Sequence, residues 1–157
     1  RGTLFRQTLF AEFELAMHQR VEQGQTLTAD WLDQKYLELT RQYYGHDQGI
    51  CQVGDYIQNE WSGIPHFYMN YYVFQYSTGI IASLALSDRV AQGDVRARDG
   101  YLQVLKAGGS DYPLNILKKA GVDMAGPEPY VIALKRFDRL VGEMEKIVAR
   151  LHKQKKN

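Results

Sequence analysis

Residues 64–79 have the sequence IPHFYMNYYVFQYSTG, and this stretch decides how the middle of the chain folds. Gly63 and Pro65 predict a break in the backbone at its start. From Phe67 to Ala91 apolar residues recur at helical spacing, and they occupy nearly every side of the first half. The sequence therefore predicts one long helix, buried on several faces, that is the longest or second longest in the protein.

The same stretch combines a histidine with four tyrosines within residues 68–76. Tyr68, Tyr72 and Tyr76 are spaced by four and would share one face of a helix, with His66 just before that face. Buried phenol groups need hydrogen-bond partners, so such a row is costly unless it faces a polar cavity. Phenols and an imidazole on one wall can polarise a carbonyl or stabilise an oxyanion. The alternative is a tyrosine-rich core helix without a chemical role.

Helical patterns continue on both sides of this stretch. Gly24 ends a first amphipathic helix, Thr28 is a suitable N-cap for a second, and Gly45 is a suitable stop. Further along, Ser110 is expected to cap a short helix, and a last helix is expected from about residue 129 to 153. No alternating strand pattern of useful length occurs, so the predicted fold class is all-α.

Composition narrows the class of protein. The 157 residues are 45% apolar and 24% charged, which is typical of an ordinary globular protein. The formal net charge is +1, so no overall field favours nucleic acid or an anionic membrane. Cys51 is the only cysteine, so the fold does not depend on a disulfide. With no apolar run of about 18 residues, the sequence predicts a cytoplasmic protein without a membrane span.

Residues 65–79 resemble PHFYxNFYVYQYATG, a signature of the oligoendopeptidase F family of zinc peptidases, which are related to thimet oligopeptidase. The resemblance covers nearly the whole chain in order. It implies that residues 1–157 form the C-terminal helical portion of the catalytic domain, in a fold with two helical lobes around a deep channel. The other similar stretches are GTLFRQTLFAEFE (2–14), LTAD (27–30), YYG (43–45), LKAGGSDYP (105–113) and KAGVDM (119–124).

The resemblance also implies the chemistry of zinc-dependent cleavage of short peptides. The family binds zinc through two histidines of an H-E-x-x-H helix and a glutamate on a following helix, and the motif glutamate is the general base. This chain contains no H-E-x-x-H, so we expect the ligands upstream of residue 1 and assign no metal ligand within the chain. Alone, the chain should be inactive. Glu12 and Glu14 are expected on the solvent side of the first helix or toward missing structure, with structural roles.

In relatives of this family a histidine and tyrosines from a later segment contact the substrate and stabilise the tetrahedral intermediate. By resemblance, His66, Tyr72 and Tyr76 occupy the catalytic positions, and Tyr68 and Tyr71 are assigned to substrate binding. Residue 74 is Phe where the signature often has Tyr, which leaves the catalytic tyrosine open between Tyr72 and Tyr76. The partners implied are short peptide substrates and the rest of the catalytic domain.

A second class of function stays open on the sequence alone, that of a non-catalytic helical interaction module. A helical bundle with carboxylate metal ligands is excluded on spacing, because no helix carries a Glu-x-x-His pair.

Overall fold

The structure, a computed structural model, describes residues 1–154 and is all-helical over that range, as the sequence predicts. A π-helical turn (Gly2–Arg6) precedes the first α-helix, and two 3₁₀ helices span Asp55–Gly63 and Pro65–Tyr68. None of the helices in the described range is long and apolar enough to cross a membrane. The α-helices are α1 (Gln7–Glu22), α2 (Ala29–Tyr44), α3 (Phe74–Ala91), α4 (Val95–Ala107), α5 (Pro113–Lys119) and α6 (Glu128–Gln154).

The chain divides into two compact units, and the division falls within α3. The first unit, Arg1–Ile80, has an aromatic and aliphatic core between α1, α2 and the segment that leads into α3. Phe13 and Tyr36 are fully buried, and their rings meet edge to face at 5.2 Å. The other buried members of this core are Leu9, Phe10, Leu39, Ile64 and Val73.

The second unit begins at Ile81 and buries mostly small side chains. Small residues allow helix backbones to approach closely, and Gly100 of α4 illustrates this. A Cβ added at Gly100 would lie 2.8 Å from the carbonyl oxygen of Ala120, just after α5. The buried apolar residues of this unit are Ile81, Ala82, Ala85, Leu86, Ala97, Ala120, Val122, Met124 and Ala133.

The limits of α2 follow from its own terminal residues. The Thr28 hydroxyl accepts a hydrogen bond from the backbone N–H of Trp31 at 3.3 Å, as an N-cap does. At the other end Gly45 has φ +67°, in the left-handed region that glycine adopts without steric penalty. Both predicted ends are therefore confirmed.

The predicted helix over 67–91 is wrong in its first third. Pro65–Tyr68 forms a 3₁₀ turn, the chain then breaks, and α3 begins only at Phe74. The break centres on Tyr71, whose φ of +50° cannot occur inside a right-handed helix. With 18 residues, α3 is still the second longest of the described helices.

The predicted cap of the short helix is also displaced. Tyr112, not Ser110, occupies the N-cap position of α5, and it makes no side-chain capping bond. The nearby carboxylate belongs to Asp111, which accepts the backbone N–H of Tyr112 at 2.7 Å and the side-chain amide of Asn115 at 2.9 Å. Pro113 then begins the helix at a position where its missing N–H does no harm.

Candidate functional site

His66 lies on the outer side of the 3₁₀ turn Pro65–Tyr68 because its neighbours are anchored inward. Ile64 is 8% exposed, and the ring of Phe67 packs edge to face on Phe10 at 5.5 Å and Phe13 at 5.3 Å. These contacts fix the turn on the core of the first unit. The imidazole of His66 is left half-buried at the surface of that core.

Three side chains meet at this surface, His66, Tyr72 and Tyr76, and we call them the His–Tyr cluster. The His66 ring stacks on Tyr72 at 5.8 Å between centroids and meets Tyr76 edge to face at 5.4 Å. The two tyrosine rings are 5.4 Å apart, and their hydroxyl oxygens are 2.9 Å apart and hydrogen-bonded. The structure therefore brings together all three residues that the sequence assigns to the catalytic positions.

The hydrogen bond between Tyr72 and Tyr76 determines how many of their hydroxyl hydrogens can bind another molecule. One hydroxyl donates and the other accepts, and either oxygen could be the donor. The accepting hydroxyl keeps its own hydrogen, so one O–H remains free to donate to an outside oxygen. The hydrogen bond with Tyr72, followed by partial desolvation, raises the pKa of Tyr76 above its ordinary value. Tyr76 therefore keeps its hydroxyl hydrogen throughout the neutral range.

His66 has one polar atom that the described part of the chain does not satisfy. Its Nδ1 is buried and has no hydrogen-bond partner within residues 1–154. Buried polar atoms normally have a partner, since leaving one without costs about 1–3 kcal/mol. Two other buried polar atoms of the described residues, Gln7 Oε1 and Arg41 Nε, also lack a partner, so the position of His66 beside the two phenols is what distinguishes it.

The start of α3, which carries Tyr76, is fixed to α1 by buried hydroxyls. The Thr8 hydroxyl donates to the Leu4 carbonyl at 2.6 Å and its oxygen lies 2.9 Å from the Ser77 hydroxyl, which donates to the same carbonyl at 3.2 Å. Ser77 is 6% exposed and follows Tyr76 directly. This network therefore sets the direction of Tyr76.

A charged network holds the 3₁₀ helix Asp55–Gly63, which leads into the His66 turn. Glu60 receives hydrogen bonds from the Arg6 guanidinium and from the Tyr36 hydroxyl, each at 2.5 Å. Burial, together with the bond to Glu60, raises the pKa of Tyr36 far above its ordinary value. Trp61 donates through its indole N–H to Asp33 at 2.7 Å. The 3₁₀ helix that leads into the His66 turn is thus attached to the π-helical turn before α1 and to α2.

Two of the predicted site residues lie apart from the cluster. Tyr68 is 76% exposed, and its hydroxyl donates to the Ser62 carbonyl at 3.2 Å. The prediction that Tyr68 shares a helical face with the cluster is wrong, because Tyr68 precedes the break and α3 follows it. Tyr71 stacks its ring on His18 at 4.3 Å, and its backbone is left-handed, with φ +50°. Substrate binding by Tyr68 and Tyr71 stays a prediction.

Glu14 is the residue that sequence reasoning placed wrongly. It is 2% exposed rather than on the solvent side, and its Oε1 accepts the backbone N–H of Tyr71 at 2.7 Å. The spacing carried a signal, because Glu14 lies four residues after Phe10 and directly follows Phe13, which places it at the edge of the apolar stripe. The identity of its partner had no local signal, since 57 residues separate the two.

The residues present do not fit a zinc site. Within residues 1–154 no group of three or more His, Cys, Asp or Glu side chains lies close enough to hold a metal ion. A catalytic zinc needs three protein ligands and one open position. The His–Tyr cluster contains one imidazole and two phenols. These groups can form hydrogen bonds, but they do not supply the three ligands of a zinc site.

Comparison with known proteins shows the family of the chain. Residues 1–136 match Peptidase family M3, and the chain therefore belongs to that family. It is 47% identical over 150 residues to the Group B oligopeptidase PepB of Streptococcus agalactiae serotype III, covering 96% of this chain and 24% of the relative. It is 46% identical over 151 residues to the oligopeptidase PepF of Bacillus subtilis, covering 96% of this chain and 22% of that relative.

A solved structure shows the same fold. The crystal structure of oligoendopeptidase-F from Enterococcus faecium superposes with a TM-score of 0.87 at 46% identity, over 95% of this chain and 28% of that one. The chain thus spans about a quarter of the length of the relatives that it matches.

Proposed function

We propose that residues 1–157 form the C-terminal helical part of the catalytic domain of a zinc-dependent peptidase that cleaves short peptides. The observation that carries the proposal is the His–Tyr cluster, in a chain that belongs to Peptidase family M3. Relatives of this chain are named as oligopeptidases and oligoendopeptidases, which supports peptide substrates. In the same proposal, the complete domain has two helical lobes around a channel, and the cluster lines that channel.

The cluster would act on the oxygen of the scissile carbonyl. That oxygen gains negative charge when the tetrahedral intermediate forms, and preorganised donors stabilise it more than they stabilise the substrate. The phenolic hydrogen that the Tyr72–Tyr76 pair does not use internally is one such donor. A ring N–H of His66, beside both phenols, is a second. Tyr68 and Tyr71 would contact the peptide on either side of the reacting bond.

We place the zinc outside this chain, on other residues of the full-length enzyme, because the described side chains do not group into a ligand set. This chain then contributes donors and substrate contacts rather than the metal.

The test is hydrolysis by the full-length protein. We expect the zinc-loaded protein to cleave internally quenched short peptides, to lose this activity on dialysis against a chelator, and to regain it with added zinc. A folded protein substrate is the control and should resist cleavage. A zinc-loaded protein that binds these peptides but cleaves none of them would contradict the proposal and favour an interaction module.

A further inference from the structure

Glu14 is a buried carboxyl group with no part in the His–Tyr cluster. It lies on α1 next to Phe13, which is fully buried, and is itself 2% exposed. A buried carboxylate is costly unless hydrogen bonds compensate for the lost water. The bond that Glu14 makes reaches across to the segment that separates His66 from Tyr72, where Oε1 accepts the backbone N–H of Tyr71 at 2.7 Å. A bond between an N–H group and a carboxylate is among the stronger hydrogen bonds in proteins.

Tyr71 needs such support because its backbone is unfavourable. It is the one non-glycine residue within residues 1–154 with positive φ, at +50°. The left-handed region is costly for a residue with a bulky side chain, and it persists only where the surroundings hold it. Tyr71 lies between the 3₁₀ turn and α3, where the chain changes direction.

α1 contacts Tyr71 at two points. Glu14 binds the backbone N–H, and His18, one helical turn further along α1, stacks on the ring with centroids 4.3 Å apart and planes 24° apart. The two contacts fix both the backbone and the side chain of Tyr71. The next residue is Tyr72, whose ring must lie on His66 and whose hydroxyl must meet Tyr76.

We propose that Glu14 is a positioning residue for the His–Tyr cluster, holding Tyr71 in its left-handed conformation so that Tyr72 meets His66 and Tyr76. The catalytic consequence rests on the proposed function, whereas the positioning itself does not. A small misplacement of catalytic groups lowers turnover by up to about 100-fold, so the effect of losing Glu14 should appear in kcat.

The experiment compares Glu14→Gln with Glu14→Leu in the full-length protein. Gln keeps a carbonyl oxygen at the same distance along the side chain, whereas Leu fills the space and removes the acceptor. We expect Glu14→Leu to lower kcat about 10- to 100-fold with a small change in KM and unchanged zinc content. Glu14→Gln should restore most of the turnover. Backbone amide exchange of the peptide that contains Tyr71 should be faster in the Leu variant only.

A structural control separates positioning from a general loss of stability. Thr40 is 5% exposed, and its hydroxyl donates to the Tyr36 carbonyl at 2.8 Å in the same unit but far in sequence from the cluster. Thr40→Val should lower the melting temperature without lowering kcat. If Thr40→Val and Glu14→Leu reduce kcat in proportion to their loss of stability, the positioning role is overturned.

Two further results would overturn the proposal. One is a Leu variant with wild-type kcat, and the other is a Gln variant as impaired as the Leu variant. If the wild-type protein cleaves no peptide, the proposed function fails, but a crystal structure of Glu14→Leu still decides the positioning role. Tyr72 leaving the His66 ring in that structure supports the role, and Tyr72 in its original place contradicts it.

Discussion

The hydroxyls of Tyr72 and Tyr76 share one hydrogen bond, at the surface that the proposed function assigns to the substrate. One of these two hydroxyls is expected to donate to the oxyanion. We predict that replacing that tyrosine, by Tyr72→Phe or by Tyr76→Phe, lowers kcat of the full-length protein by about 100- to 1000-fold and changes KM much less. The reason is that the oxyanion exists only in the transition state and intermediate. The measurement is steady-state hydrolysis of a short peptide.

The matched control for these variants is Tyr130→Phe, which removes a hydroxyl that donates to the Met124 carbonyl in the second unit. Its kcat should equal that of the wild type. Near-normal turnover in both Tyr72→Phe and Tyr76→Phe would mean that neither hydroxyl stabilises the oxyanion and that the two tyrosines have a structural role only.

His66 gives a prediction that separates a substrate contact from a metal ligand. We expect His66→Ala to lower kcat by about 100-fold or more, because a donor beside both phenols is lost. The zinc content, measured by elemental analysis, should stay at that of the wild type. His46→Ala is the control, because His46 accepts the backbone N–H of Val53 within a loop and is not a member of the cluster. Loss of zinc from His66→Ala would show that the ligands are assigned wrongly.

Helix packing in the second unit gives a prediction at the scale of elements. Gly100→Ala should destabilise the full-length protein by about 1–3 kcal/mol, because the new Cβ would lie 2.8 Å from the carbonyl oxygen of Ala120. Alanine favours helix more than glycine does, so propensity alone predicts the opposite sign. Gly142→Ala in α6 is the matched control, since nothing lies within 4 Å of its added Cβ, and it should stabilise by about 0.4–1 kcal/mol.

Urea unfolding of both variants measures the difference, with the transition of the second unit followed separately if the two units do not unfold together. Equal stabilisation by the two substitutions would mean that α4 moves easily away from Ala120.

The ends of a helix could be predicted from the sequence where residues at those ends determine them. Thr28 and Gly45 bound α2 through contacts within one turn, so local rules locate both ends. The start of α3 could not be located this way. Residues 67–73 have helical spacing, but Glu14 holds Tyr71 in a left-handed conformation from 57 residues away. Tertiary contact overrode the local pattern there, and it moved Tyr68 out of the site with it.

The proximity of His66, Tyr72 and Tyr76 was predicted by motif resemblance, and the structure explains it in a way that helical spacing alone does not. The four-residue spacing still brings the hydroxyls of Tyr72 and Tyr76 together, although Tyr72 lies two residues before α3 and only Tyr76 is within it. His66 reaches them only because the chain turns back at the break. The continuous helix predicted over these residues would have placed His66 further along the axis.

At the scale of the whole molecule, the exposed surface of the described residues contains many large apolar side chains. On α6 alone these include Leu134, Leu140, Met144 and Ile147, each at least 47% exposed. Exposed apolar surface of this extent is typical of protein that contacts more protein. Since the relatives of this chain are about four times its length, we expect the remainder of the full-length protein to cover part of that surface.

In the proposed function, zinc binding and substrate contact belong to different parts of the full-length protein. A catalytic zinc requires three converging ligands, and no such group exists within residues 1–154. We therefore predict that a protein consisting of residues 1–157 alone binds no stoichiometric zinc after washing and hydrolyses no short peptide. The full-length protein, treated identically, should retain zinc and activity. Elemental analysis and a quenched-peptide assay on the two proteins make the comparison.

One result of this comparison would reverse the division of roles. His66 is the imidazole that a site within this chain would use, because it is half-buried, near two phenols, and has a buried Nδ1 without a partner in the described residues. If residues 1–157 hold one zinc per chain and lose it on His66→Ala, the cluster is a metal site and its phenols are ligands or support a ligand. If zinc is absent from residues 1–157 and full-length His66→Ala is inactive but metal-loaded, His66 is not a metal ligand, and its position beside both phenols assigns the lost turnover to the cluster.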